Sequence, residues 1–76
     1  MERLIEILEE IHEGVDYKNC NTLIDENILD SLSIISLIAE IEEEYDVQVP
    51  TVEIVPNNFN SAEAIWNLIK KLQEEG

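Results

Sequence analysis

The chain has 76 residues, 18 of them acidic and 4 basic, for a formal net charge of −14. No basic patch exists to replace the counterions of a nucleic acid or to hold an anionic lipid surface, so both partner classes are excluded, and a partner with a basic patch is favoured instead. The apolar fraction of 45% suffices for one small core, and its Ile, Leu and Val residues fall at helical spacing, which argues against an acidic disordered tail.

The pattern predicts an amphipathic helix from residue 2 to about residue 13. Leu4, Leu8, Ile11 and Val15 recur at helical intervals, Ile5 and Ile7 widen the stripe, and Glu6, Glu9, Glu10 and Glu13 take the other side. Gly14 is the expected stop, and His12 suits the negative end of that helix. Residues 14–30 read as a long connection. Asp16, Asn19, Asn21 and Thr22 are turn formers, while Leu23, Ile24, Ile28 and Leu29 are apolar anchors for a core. A connection of this length tends to carry function.

A second helix is predicted from Ser31 to about Tyr45. At about 100° per residue, Ile34, Leu37, Ile38, Ile41 and Tyr45 gather on one arc, which is the buried face. Leu32, Ser36, Ala39 and Glu43 gather opposite, with Ile35 at an edge. Two exposed apolar residues beside a serine, rimmed by Glu40, Glu42, Glu43 and Glu44, look like a docking surface. Val47-Gln48-Val49 alternates, but Pro50 follows at once, so an extended link is expected, then a short helical turn near residues 51–55 and a turn at Pro56-Asn57-Asn58. Phe59 is a core anchor. Asn60 or Ser61 caps a last helix from residue 62 to about 74, and Asn60 with Glu63 has capping-box spacing. That helix buries Ile65, Leu68, Ile69 and Leu72, has Trp66 at its margin, and places Lys70 and Lys71 near its negative end. The expectation is one domain over residues 1–76 with three main helices and one minor turn.

The inventory for chemistry is sparse. There is no zinc spacing, no EF-hand loop and no glycine-rich phosphate loop, so no metal site is expected. His12 has no nucleophile in a motif with it, and Cys20 lies in neutral to acidic surroundings that do not activate a thiol. The lone cysteine also has no disulfide partner, and no signal-peptide core or membrane-length apolar run is seen, so the cytoplasm is the expected compartment. Ser31 remains. By pattern it is a helix N-cap, with Asp30 complementing the dipole. The same geometry suits a second use, because a phosphate attached there faces free backbone N–H groups.

The run Leu23-Ile24-Asp25-Glu26-Asn27-Ile28-Leu29-Asp30-Ser31-Leu32 resembles the phosphopantetheine attachment motif of acyl carrier proteins. The likeness continues through Ile41-Glu42-Glu43-Glu44-Tyr45 and Val47-Gln48-Val49-Pro50 to Phe59-Asn60-Ser61 and the final helix, covering nearly the whole chain. It implies an all-α, four-helix bundle with a short third helix. It implies 4′-phosphopantetheine on Ser31, delivered from coenzyme A by a phosphopantetheinyl transferase, with Asp30 and Leu32 flanking the attachment. It also implies no catalysis by the carrier itself. A monomer would hold an acyl or aminoacyl thioester and present it in turn to an activating ligase and to a downstream synthase or acyltransferase. The positions read by partners would be Leu32, Ile35, Ala39, Glu42 and Glu43. Fatty-acid-type carriers usually have an acid where this chain has Ser33 and a glutamate where it has Ser36, which points away from primary fatty-acid synthesis. The Ile28-Leu29 run and the tail from Val49-Pro50 are similar to D-alanyl carrier proteins, which serve teichoic acid D-alanylation, and to stand-alone peptide or polyketide carriers. Asn27 stands where the D-alanyl carriers have glycine. A housekeeping fatty-acid carrier and an uncharged interaction module of the same fold stay open as alternatives.

Overall fold

In the computed structural model, which describes residues 2–75, helix α1 spans Glu2–Ile11 and buries Leu4, Ile7 and Leu8. It stops two residues earlier than the apolar pattern suggests. Tyr17 explains the ending: its ring is buried, and its hydroxyl is directed at the carbonyl oxygens of Leu8, at 3.1 Å, and of His12. The Leu8 oxygen also accepts from His12 N–H at 2.8 Å, so the Tyr17 hydroxyl adds a second donor there and reaches the His12 oxygen beyond the helix end. Gly14 then takes a left-handed backbone, φ 86°, that turns the chain away.

The connection to the next helix is a folded loop. Leu29 N–H donates to Leu23 O at 2.9 Å, Glu26 N–H to Thr22 O at 2.9 Å, and Asn27 N–H to Ile24 O at 3.0 Å. Leu23 and Leu29 are buried, while Ile24 and Ile28 are half-buried against the same core. Asn27 makes the reversal at φ 57°, a conformation asparagine tolerates better than most side chains.

Helix α2 covers Ser31–Tyr45 and ends at Asp46, which is left-handed at φ 53°. Its inner face buries Leu37 and Ile41 to 1% exposure or less, with Ile34, Ile38 and Tyr45 packed partly against the core. The link beyond it is tied back by Val49 N–H, which donates to the Glu42 carboxylate at 2.9 Å. The short helical turn expected near residues 51–55 is a 3-10 turn at Thr51–Glu53, while the stretch whose residues read as a plain turn forms a short helix, α3, at Pro56–Phe59. Pro56 opens α3, where its fixed φ is favourable and its missing N–H costs nothing. Phe59 is driven into the core.

Helix α4, Ala62–Glu75, buries Ala62, Ile65, Leu68, Ile69 and Leu72. Of the two proposed caps it uses Ser61, whose hydroxyl accepts from Ala64 N–H at 3.0 Å. Trp66 meets Tyr45 edge to face, with centroids 5.8 Å apart, joining α4 to α2. Lys71 does not serve the end of α4 as expected; its ammonium reaches the Glu53 carboxylate at 2.6 Å and clips the 3-10 turn to the helix. Arg3 likewise bridges α1 to α2 through Glu44 at 3.0 Å. One apolar cluster runs from Leu4 to Leu72, no strand occurs among the described residues, and α1 packs against both α2 and α4 while α3 packs on α4. No helix among the described residues is long and apolar enough to cross a membrane. Tyr17→Phe should lower unfolding stability by about 1 kcal/mol, read by urea denaturation, because the removed hydroxyl leaves an end-of-helix carbonyl without its buried donor.

Candidate cofactor-attachment site

The folded loop delivers the chain to Asp30 in an extended conformation, φ −92° and ψ −176°, and the next residue is already helical. That order corrects the sequence reading of Ser31 as the cap. A cap needs a non-helical backbone and a side-chain oxygen aimed at the first turn. Asp30 has both: its carboxylate accepts from Ser33 N–H at 2.8 Å, and its carbonyl accepts from Ile34 N–H at 2.9 Å. Ser31 is the first helical residue, it is exposed, and its hydroxyl is released from capping.

The electrostatics follow from the same contact. The Ser33 N–H, with smaller help from the Ser33 hydroxyl, holds the Asp30 carboxyl below the ordinary carboxylate range. The positive end of α2 favours the same ionised form. The cap therefore stays anionic in the folded state to lower pH than the same carboxyl does in the unfolded chain.

Around Ser31 the outer face of α2 is apolar where it is closest in sequence. Leu32 is 76% and Ile35 64% exposed, and Ser36, Ala39 and Glu43 are also exposed. The helical wheel had turned this face outward, and the structure brings those residues together with Ser31. Glu42 differs: it is half-buried, and its carboxylate is engaged by Val49 N–H. Further apolar exposure occurs at Val52, Ile54 and Val55, which the sequence reading did not single out.

Other candidate chemistry does not assemble. His12 is exposed at the end of α1, Cys20 is half-buried beside the Thr22 hydroxyl at 3.6 Å, and no metal-binding group of His, Cys, Asp or Glu forms among the described residues. The residues at the start of α2 fit a phosphodiester-linked group on an observation of their own. The serine hydroxyl is exposed, and it stands on a helix first turn whose leading N–H groups have no intrahelical acceptor. Nothing walls it in, so a long arm can leave into solvent.

A family model described as the phosphopantetheine attachment site matches residues 22–69, more than half of the chain, from the folded loop into α4. The chain belongs to the phosphopantetheine-binding carrier family. Membership implies covalently attached 4′-phosphopantetheine and a carrier role, in dealings with transferases and ligases generally. The chain is 38% identical over 74 residues to a D-alanyl carrier protein of Listeria welshimeri serovar 6b, covering 95% of both chains. The D-alanyl carrier protein of Listeria monocytogenes serotype 4b gives the same identity and coverage.

Two contributors escaped sequence reasoning. Tyr17 sits in a loop among turn formers, and nothing in the spacing marks it as a donor to the end of α1. Asn60 was assigned to a cap, yet its side chain faces the loop before Ser31. Asp30→Ala should lower the melting temperature at neutral pH. Asp30→Asn should cap with much weaker pH dependence. The sign is fixed: a depressed folded-state pKa stabilises above the ordinary value of 3.8, and that stabilisation is lost as pH falls through the folded pKa. In thermal melts from pH 7 downward, the parent should therefore fall toward Asp30→Ala in acid, while Asp30→Asn keeps its margin over Asp30→Ala throughout.

Proposed function

We propose that Ser31 is the residue that carries 4′-phosphopantetheine and that the protein presents an acyl or aminoacyl group without catalysing its transfer. The observation that supports this most directly is the exposed, uncapped hydroxyl of Ser31 on the first turn of α2, inside the stretch matched by the attachment-site family. Bound there, the group supplies a thiol on a long arm, where cargo is held as a thioester. The contribution of this chain is placement. Asp30 fixes where the helix begins, Leu32 and Ile35 offer apolar contact beside the arm, and Ala39 and Glu43 extend that face for partners. Glu42 serves the same face indirectly, by holding the Val47–Val49 link in place.

The cargo favoured is D-alanine. The relatives that match across 95% of the chain are D-alanyl carrier proteins. Ser33 and Ser36 also leave the start of α2 without the two acids typical of fatty-acid carriers, so a transferase reading those charges is poorly served. The partners expected are a phosphopantetheinyl transferase, a ligase that activates D-alanine with ATP, and a downstream acyltransferase, with the first two acting in the cytoplasm.

Incubation with coenzyme A and a broad-specificity phosphopantetheinyl transferase should add the mass of one cofactor arm, and Ser31→Ala should take up none; an unchanged mass for the parent chain would sink the assignment. The loaded protein should then accept D-alanine, in preference to L-alanine or an acyl chain, from an ATP-dependent D-alanine ligase. A loaded protein that takes only fatty acyl groups would replace D-alanine with a lipid cargo. Partner affinity should fall steeply as salt rises, since an acidic face meeting a basic one is screened within about 10 Å at 0.1 M.

A further inference from the structure

The loop that leads to Ser31 is held from outside by one residue. Asn60 lies 36 positions from Ile24, at the junction of α3 and α4, and meets the loop with both its backbone and its side chain. Leu23 N–H donates to the Asn60 carbonyl at 3.0 Å. Ile24 N–H donates to Asn60 Oδ1 at 2.9 Å, and Asp25 N–H points to the same oxygen at 3.4 Å. Asn60 Nδ2 donates in turn to Asp25 Oδ2 at 3.1 Å. These contacts use different groups from the loop's internal bonds, which run from Leu29 N–H to Leu23 O and from Asn27 N–H to Ile24 O. Without Asn60, the N–H groups of Leu23, Ile24 and Asp25 have no partner in the loop itself.

We propose that Asn60 is a positioning residue for modification of Ser31: it clamps Leu23–Asp25 so that the loop ends with Asp30 and Ser31 in the one arrangement a transferase accepts. The inference rests on the reading of Ser31 as the attachment residue. The clamp is specific in its chemistry. It requires an acceptor facing two backbone N–H groups and a donor facing a carboxylate, and an amide side chain supplies both at its tip in the same plane. A carboxylate at position 60 would keep the acceptor and set a like charge against Asp25. Exchanging the two residues restores every element of the pattern at unchanged net charge, because an amide at position 25 then donates to a carboxylate at position 60.

The effect belongs in recognition and not in the transfer step. If loosening the loop reduces the competent conformer to about a tenth of the population, apparent affinity for the transferase falls by the same factor while turnover of the bound complex is unchanged. The experiment compares the full chain with Asn60→Ala, Asn60→Asp, and the double variant Asn60→Asp with Asp25→Asn. Each is loaded from coenzyme A by a phosphopantetheinyl transferase well below its melting temperature. For Asn60→Ala and Asn60→Asp, KM for the carrier should rise about tenfold with kcat within about twofold. The exchanged pair should return KM to near the parent value. Amide exchange at Ile24 and residue 25 should accelerate and recover in parallel. A folded Asn60→Ala or Asn60→Asp chain that loads with parental KM overturns the proposal, as does an exchanged pair no better than Asn60→Asp alone. If Asn60→Ala does not fold, the other two chains decide. Failure of the parent chain to load, or loading that survives Ser31→Ala, strikes the attachment assignment and is read independently of Asn60.

Discussion

Everything presented at the start of α2 depends on the pairing of Leu23 with Leu29 under the loop between α1 and α2. The two side chains are buried at either end of a short stretch, and the Leu29 N–H to Leu23 O bond closes it. Burying two leucines yields about 3–6 kcal/mol, while fixing the five residues between them costs about 5–10 kcal/mol. Apolar anchoring alone leaves the loop short by a few kcal/mol. The gap is of the size that several hydrogen bonds of about 1 kcal/mol each can close. That is why the polar groups of Glu26, Asn27 and Asn60 are all engaged, although the loop is on the surface.

Helix α2 faces two demands. Its inner arc must supply core, and Leu37 and Ile41 do so one turn apart. Its outer arc must remain accessible, and a helix that already satisfies its backbone internally can leave Leu32 and Ile35 in water without structural penalty. The segment after α2 is kept off the outer arc near Ser31. Glu42 draws Val49 in near the far end of the helix, and Lys71 holds Glu53 back toward α4. An open serine and an open face are thus consequences of how the connections are tied.

Much of this was written in local patterns. The apolar arcs of all three long helices follow from spacing, and so does the outward turn of Leu32, because residue positions on a helix are fixed by its pitch. The family was legible through a motif around Ser31 whose likeness ran along the chain. What spacing could not show was which of two neighbouring oxygens caps α2. Asp30 and Ser31 are both good caps, and the choice turns on where the backbone enters the helical region, which the loop decides. The same limit hid Asn60. Its spacing to Glu63 suggests a local capping box, but Ser61 is one residue better placed for α4, and that freed the amide for a contact across 36 positions. The short third helix implied by the family likeness was not visible in the residues at Pro56–Phe59 themselves, because Pro-Asn-Asn is turn chemistry and burial of Phe59 tips it into a helical turn.

The charge distribution connects the fold to its partners. Of the 4 basic residues, Arg3 and Lys71 are engaged in bridges between elements, Arg3 to Glu44 and Lys71 to Glu53. Both are exposed pairs, so they add little stability of their own, and their value lies in direction: each fixes the approach of one element to another. Using half of the scarce cations this way leaves the acidic surface largely uncompensated. Such a surface repels itself, which weakens the compact state, and attracts basic partners from a distance. Salt therefore acts in opposite senses on the two properties, relieving the repulsion within the carrier while screening the attraction to an enzyme. A protein that must meet several enzymes in succession gains from that balance. Long-range attraction speeds each encounter, and a docking face as small as the exposed Leu32 and Ile35 proposed beside Ser31 would leave each complex free to come apart.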